Sequence, residues 1–248
     1  MNTLLLLLAG FFLPLFPLSM VFNWLLGRFG HPGIRVALIV VWPQIGVLLL
    51  LAAGVPLTGS AFIWWGLATA AFYAWRLLTV RELGQWAAML ATSAFALTWV
   101  MAADGARAID LHAFVLGFAL APALLVAVTT LLERRLGAAY SGLFTGMARD
   151  MPRLAGLITV VLLAAMALPI FPGFFVMLDL LLDRHPAPVT VALLTWLLWS
   201  WAGTRLLRDT VFGPRSNRNV ADLPVPQAWA FAGVIVAAVV LNLIWTGV

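Results

Sequence analysis

Eight times along this chain a run of about 20 mostly apolar residues recurs, near residues 3–25, 36–54, 61–80, 84–103, 111–132, 154–182, 187–207 and 228–247. That length is what a helix needs to cross a hydrocarbon core of roughly 30 Å. A soluble fold cannot absorb such runs, because it must keep a polar skin in which about a quarter of all residues are charged. Here only 9% of 248 residues are charged and 64% are hydrophobic. The reading is an all-α polytopic membrane protein with about eight transmembrane helices. Its first partner is the lipid bilayer. A soluble enzyme, a nucleic-acid binder and a disordered chain are excluded.

Loop charges orient the spans. With the N-terminus outside, the inner connections carry Arg28, Arg35, Arg81, Arg134, Arg135, Arg149, Arg153, Arg208, Arg215 and Arg218, while the outer ones carry Arg107 and Arg184. This asymmetry follows the positive-inside rule, supports an even number of crossings, and places both termini on the periplasmic side of a bacterial inner membrane. The net charge of +5 is therefore a topology signal and not a nucleic-acid footprint. The first span lacks a basic leader and a small-residue cleavage site, so it is expected to remain as a helix. Trp24, Trp64, Trp65, Trp75, Trp86, Trp99, Trp229 and Trp245 fall near span ends and are expected in the interfacial belt. Trp42, Trp196, Trp199 and Trp201 are expected to face other helices.

The sixth span is too long for one upright helix. It is interrupted at Pro169, Pro172 and Gly173, where two prolines three apart remove backbone donors and disfavour helix in the residues before them. Two half-helices joined by an unwound piece are expected over 154–182, with the break facing protein or water. In transporters such breaks place free backbone groups beside ion or substrate sites.

A family resemblance emerges from residue 140 onward. Gly146-Met147-Ala148-Arg149-Asp150-Met151-Pro152-Arg153-Leu154-Ala155 resembles a G-L-A-x-x-M-P-x-x-A stretch. Leu168-Pro169-Ile170-Phe171-Pro172-Gly173-Phe174 is similar to an L-P-G-x-x-G-F break. Arg208 to Leu223, with Phe212-Gly213-Pro214 and Ala221-Asp222-Leu223, looks like an R-x-x-F-G…A-D-L connection. Arg81-Glu82-Leu83 and Ala87-Ala88 are a fainter echo of R-D-L-K-R-L-I-A-Y. All are motifs of the antiporter-like membrane subunits of respiratory complex I, a family shared with multisubunit cation/proton antiporters, membrane-bound hydrogenases and inorganic-carbon uptake complexes. The resemblance covers about a third of the chain.

The resemblance implies about half of a family member, since such subunits carry two inverted five-helix repeats, each with one broken helix. Residues 1–60 are then two extra N-terminal helices without an assigned counterpart. Residues 61–207 form the five-helix unit with its broken helix at 154–182. Residues 208–248 are an inner loop and the final helix. It also implies a partner, a longer antiporter-like chain among other membrane subunits, together with a cytoplasmic peripheral subunit.

Family members move protons along buried Lys, Glu and His. A buried Lys can release its proton near neutral pH and an Arg cannot. All 14 basic residues here are Arg. The resemblance places the family's post-break acid on Met177, its R-D-L-K lysine on Gly84 and its histidine on Gly117. The usual relay is therefore missing. Asp179, past the break, His112, opening the fifth span, and Arg76, near the inner end of the third, remain as ion-pathway candidates. Arg76 and Arg205 can also snorkel to headgroups. Arg134, Arg135, Arg149 and Arg153 are candidate docking residues for a cytoplasmic partner. Glu82 and Glu133 read as solvated loop residues beside arginines, and Gln44 as a helix-to-helix hydrogen-bonding group.

The chain has no Cys and three His in separate segments, so no metal site and no cofactor are expected, nor is intrinsic catalysis. The expected function is a membrane subunit of a heteromeric proton- or cation-coupled complex, accessory or partial to ion translocation. The alternatives are a structural docking subunit and the membrane component of an inorganic-carbon uptake complex.

Overall fold

A computed structural model describes residues 2–54, 57, 61–103, 105–143, 145–182, 185–213 and 221–246. Arg184, Pro214, Arg215 and Arg218, which entered the loop and motif readings, and the side chain of Trp245 lie outside the described residues.

The helices in chain order are α1 (Asn2–Phe12), α2 (Ser19–Arg28), α3 (Pro32–Ala53), α4 (Ala61–Leu77), α5 (Leu83–Ala96), α6 (Thr98–Ala103), α7 (Ala108–Leu136), α8 (Met147–Asp150), α9 (Pro152–Ala165), α10 (Pro172–Leu181), α11 (Pro186–Thr210) and α12 (Val225–Thr246). Four of the long helices open on a proline, at Pro32, Pro152, Pro172 and Pro186, where the missing N–H costs nothing. Gly54 and Gly137 close α3 and α7 in the left-handed region, at φ of 58° and 78°. Taking α1 with α2, α5 with α6 and α9 with α10, the helices form eight passes, as the apolar runs predict. Among the described residues, four stretches are by themselves long and apolar enough to cross a bilayer: Pro32–Ala53, Leu83–Ala103, Ala108–Leu136 and Val225–Ile244.

Burial sorts these passes. In the apolar 18-residue stretches of Leu83–Ala103 and Ala108–Leu136, 89% and 72% of the residues are buried, so these helices form the centre of the bundle, whereas in that of Val225–Ile244 only 6% are, and it lies at the edge. The packed interior joins Phe22, Ile39, Leu67, Phe95, Trp99, Val115, Leu125, Ile158 and Met177, drawn from eight different helices. A helix that is apolar all round yet unburied is at home only in lipid.

The sixth pass is broken as expected, with α9 ending at Ala165 and α10 starting at Pro172. The first pass corrects the sequence reading. It is not one helix over 3–25 but two, interrupted at residues 13–18, where Pro14 and Pro17 stand three apart as Pro169 and Pro172 do. The two regions share a pattern: Leu13-Pro14-Leu15-Phe16-Pro17 matches Leu168-Pro169-Ile170-Phe171-Pro172, and each leads to a His-Pro pair, His31-Pro32 or His185-Pro186, that opens the next long helix. The segment from Leu13 to Pro32 thus repeats in sequence the pattern that runs from Leu168 to Pro186.

The arginine-rich ends of the helices are knitted together by backbone. Leu83 N donates to Ala139 O at 2.9 Å and Ser141 N to Arg81 O at 2.8 Å, forming an isolated bridge between residues 82 and 140. Gly146 N and Ala148 N donate to Phe212 O and Val211 O. The Ala221-Asp222-Leu223 segment locks over this layer. Its Asp222 carboxylate accepts from Arg153 N at 2.9 Å and Leu154 N at 3.2 Å, capping α9 from 69 residues away. Orphan first-turn amides favour such an anion.

Candidate functional site

Unwound backbone inside a bilayer needs partners, since no water supplies them. At the second break Trp196 on α11 donates its indole N–H to Met166 O at 2.9 Å. At the first, Trp42 on α3 donates to Phe11 O at 3.4 Å. The two indoles occupy equivalent places, each eleven residues after the histidine of its His-Pro pair, and each carbonyl lies two residues before its Leu-Pro. The first break receives more: Trp99 donates to Leu13 O at 3.1 Å, Trp65 to Phe16 O at 2.6 Å, and Phe16 N donates to Thr69 Oγ1 at 3.1 Å. The second break carries strain, with Ala167 at φ 51° and Ile170 at φ 88°. A β-branched residue at positive φ is a true outlier.

These bonds correct part of the tryptophan reading. Trp86 and Trp99 are fully buried at 1% and 0% exposure, so they are core residues and not belt anchors. Trp24, Trp64, Trp75 and Trp229 are exposed, as interfacial rings are. Replacing Trp196 with Phe keeps an aromatic ring but leaves Met166 O unpaired. It is expected to cost about 1–3 kcal/mol, seen as a lowered melting temperature in detergent. Trp42→Phe, losing a longer bond, should cost less.

Between the two breaks the polar groups are neutral. Trp199 donates to Ser93 Oγ at 2.9 Å, and Ser93 donates on to Ala70 O at 2.7 Å. Ser19 Oγ pairs with Tyr73 Oη at 2.9 Å, and Asn23 connects Ser19 O to Thr92. Among the described residues, the buried polar and charged ones are serines, threonines and Arg35. Met177 is fully buried, and Gly117 and Gly84 are places of close approach. A Cβ on Gly117 would run into Val176 Cγ2 on α10.

The three ion-pathway candidates are not brought together. Asp179 is exposed and lines a pocket of about 280 Å³ with Met101, Arg107, Asp110, Phe175 and Val176, at the end of the bundle opposite the arginine-rich one. Arg107 and Asp110 already pair there, at 2.9 and 3.0 Å. His112 is half-buried and turned to α3, where its Nδ1 meets Gln44 Oε1 while Gln44 Nε2 donates to His112 O at 3.3 Å. Gln44 is the interhelical hydrogen-bonding group that its sequence position suggests. Arg76 is exposed in the last turn of α4. Arg205 does not simply reach for headgroups, because its Nη1 donates to Leu78 O at the end of α4.

Of the docking candidates, Arg134, Arg149 and Arg153 are exposed and Arg135 is half-buried. Arg135 and Arg153 nevertheless have partners within the chain. Arg135 Nη1 donates to Ala221 O at 2.7 Å and Asp222 O at 2.9 Å, and Arg153 Nη1 to Leu223 O at 3.1 Å. Their charge holds the connection to α12 in place, a role invisible in the sequence because the partners are some 70 to 87 residues away.

A further site escaped the sequence reading. Arg35, assigned there to a loop, is 7% exposed at the start of α3. It lines a cavity of about 650 Å³ with Asn23, Arg28, Glu82, Gln85 and Glu133. Glu82 and Glu133 are therefore half-buried pocket residues and not freely solvated ones. Burial is the main influence on Glu82 and pushes its carboxyl above the usual 4.5; Arg35 opposes this and Glu133 adds to it. The folded chain thus binds that proton more tightly than the unfolded chain. Its contribution to stability is complete below 4.5 and is lost as pH rises through the raised value. Among the described residues, no group of three His, Asp or Glu is placed to hold a metal ion.

No protein-family profile and no curated sequence matches the chain. Solved structures do. A chain of respiratory complex I from Thermus thermophilus with bound NADH superposes with a TM-score of 0.82 at 21% identity, over 96% of this chain and 53% of that one. A chain of the membrane-bound sulfane sulfur reductase, an archaeal respiratory membrane complex, gives 0.79 at 16% identity, over 96% and 52%. A chain of the Mrp complex from Dietzia sp. DQ12-45-1b gives 0.75 at 16% identity, over 87% and 42%. This chain spans about half the length of each of these relatives in fold.

Proposed function

From a chain that is an all-α membrane protein of the antiporter-like fold, about half the length of its structural neighbours, we propose an accessory membrane subunit of a heteromeric proton- or cation-coupled complex. It sits in a bacterial inner membrane with its arginine-rich end toward the cytoplasm and both ends of the described chain toward the periplasm. A longer antiporter-like chain is the membrane partner, and a cytoplasmic subunit docks on the arginine-rich end.

The observation that carries this reading is the chemistry of the interior. Both breaks keep their shape through indole-to-carbonyl bonds, and the buried polar residues among those described are serines and threonines, with Arg35 at the arginine-rich end. Hydroxyls near neutral pH and guanidinium at any pH do not take up and release protons. The fold of an antiporter-like subunit is retained, and among the described residues no carboxylate, histidine or lysine is fully buried to serve as a mid-bilayer proton carrier. Purified alone in liposomes, the protein is expected to hold an imposed pH gradient. Rapid, specific collapse of that gradient would overturn the accessory reading.

The docking reading is favoured by the exposure of Arg134 and Arg149, whose neighbours Arg135 and Arg153 are engaged within the fold. Arg134→Gln with Arg149→Gln is expected to lower recovery of the cytoplasmic partner in mild detergent several-fold without changing melting temperature. Unaltered recovery counts against this surface.

A further inference from the structure

The cavity around Arg35 is bounded by four segments. The end of α2 contributes Asn23 and Arg28, the start of α3 Arg35, the start of α5 Glu82 and Gln85, and the last turn of α7 Glu133. Arg28 is exposed and screened by solvent. Arg35 is not: its Nε is buried without a hydrogen-bond partner. Gly84 makes room for the cluster, because Arg35 Nη2 and Glu82 Oε1 stand 2.5 and 2.7 Å from where a Cβ on that residue would be. One permanent positive charge thus faces two carboxylates across a space large enough for water. An uncompensated charge in a half-buried setting is costly, and a single added positive charge makes the trio neutral.

We infer that this cavity is a proton-binding site open to the arginine-rich end, in which Glu82 holds one exchangeable proton beside the Glu133 carboxylate and the fixed charge of Arg35. The bond formed is a carboxyl O–H, and the proton comes from water on that side; nothing is oxidised or reduced. Arg35 is the positioning residue. Its fixed charge lies beside both carboxylates, and one proton on Glu82 leaves the three groups neutral together. The upward displacement of Glu82 by burial and by Glu133 agrees with this arrangement. The inference deepens the accessory reading and rests on it only for the side from which the proton arrives.

Infrared titration of the protein in nanodiscs tests it, following the protonated-carboxyl stretch against pH. A band with a midpoint above the ordinary carboxylate range is expected, absent in Glu82→Gln. Glu133→Gln removes the like charge and should weaken proton affinity about tenfold, moving the midpoint down. Arg35→Gln should move it up, with melting temperature checking that this variant folds. A band that survives Glu82→Gln, or a midpoint that Glu133→Gln leaves in place, overturns the site. A midpoint that falls as sodium replaces choline in the buffer also overturns it, by assigning the site to a metal cation. Loss of partner recovery in the docking experiment bears on the complex and not on this titration, so the two readings fail separately.

Discussion

Gly46→Ala is expected to destabilise the protein by about 3 kcal/mol, at the upper end of overpacking costs. Gly46 lies on α3 against the first break. A methyl group there would stand 2.7 Å from Leu13 Cγ, 2.8 Å from Leu13 N and 3.0 Å from Phe12 C. Two of those atoms are backbone, already fixed by the Leu13 N to Ala9 O bond at 2.6 Å and by the Trp99 indole on Leu13 O. They cannot yield without breaking the bonds that hold the unwound segment, so α3 must move instead. Gly203 on α11 is the control. Its added methyl would meet Met166 Cγ and Sδ, the flexible part of a long side chain. Gly203→Ala should therefore cost well under half as much. Melting temperatures of the two variants in the same detergent decide the point, and equal shifts would show that the first break is no more rigid than the second.

Asp222→Ala is expected to cost about 2–3 kcal/mol, more than loss of an ordinary N-cap at about 1 kcal/mol. One carboxylate accepts from Arg153 N, Leu154 N and Leu223 N, at 2.9, 3.2 and 2.6 Å. It is also the hinge of the clamp in which Arg135 and Arg153 grip the carbonyls of residues 221–223. Removing it strands first-turn amides of α9 and loosens the connection to α12, a helix with little burial of its own to hold it. Asp222→Asn keeps an acceptor oxygen without the charge and should recover about half of the loss. Proteolysis just before α12 should accelerate in the alanine variant. Unchanged protection there would mean that the clamp does not secure the last helix.

The family motifs pointed to the right segments and to only part of their work. Ala221-Asp222-Leu223 and Met151-Pro152-Arg153 were recognisable one by one, yet their union through Asp222 and Arg153 joins residues 69 apart. The duplicated Leu-Pro-x-Phe-Pro was legible at Leu13 as it was at Leu168, but the first span fits one membrane crossing without a break, so length raised no alarm there. Trp86 and Trp99 were misplaced for a related reason. Position along a span fixes depth in the bilayer, whereas the direction a ring faces depends on which helices surround it. Glu82 and Glu133 looked solvated beside their arginines, and Arg35 was the unrecognised partner because it comes from a third helix.

By itself the sequence determined the number of passes, the site of the second break and the end that carries positive charge. Each of these is a local matter of apolar length, a missing N–H or a count of arginines. Only the tertiary structure decided which indole serves which free carbonyl, which arginines hold the fold and which stay exposed, and that Arg35, Glu82 and Glu133 share one cavity. Those outcomes depend on helices distant in sequence meeting at particular depths and rotations, information that no single stretch of the chain contains.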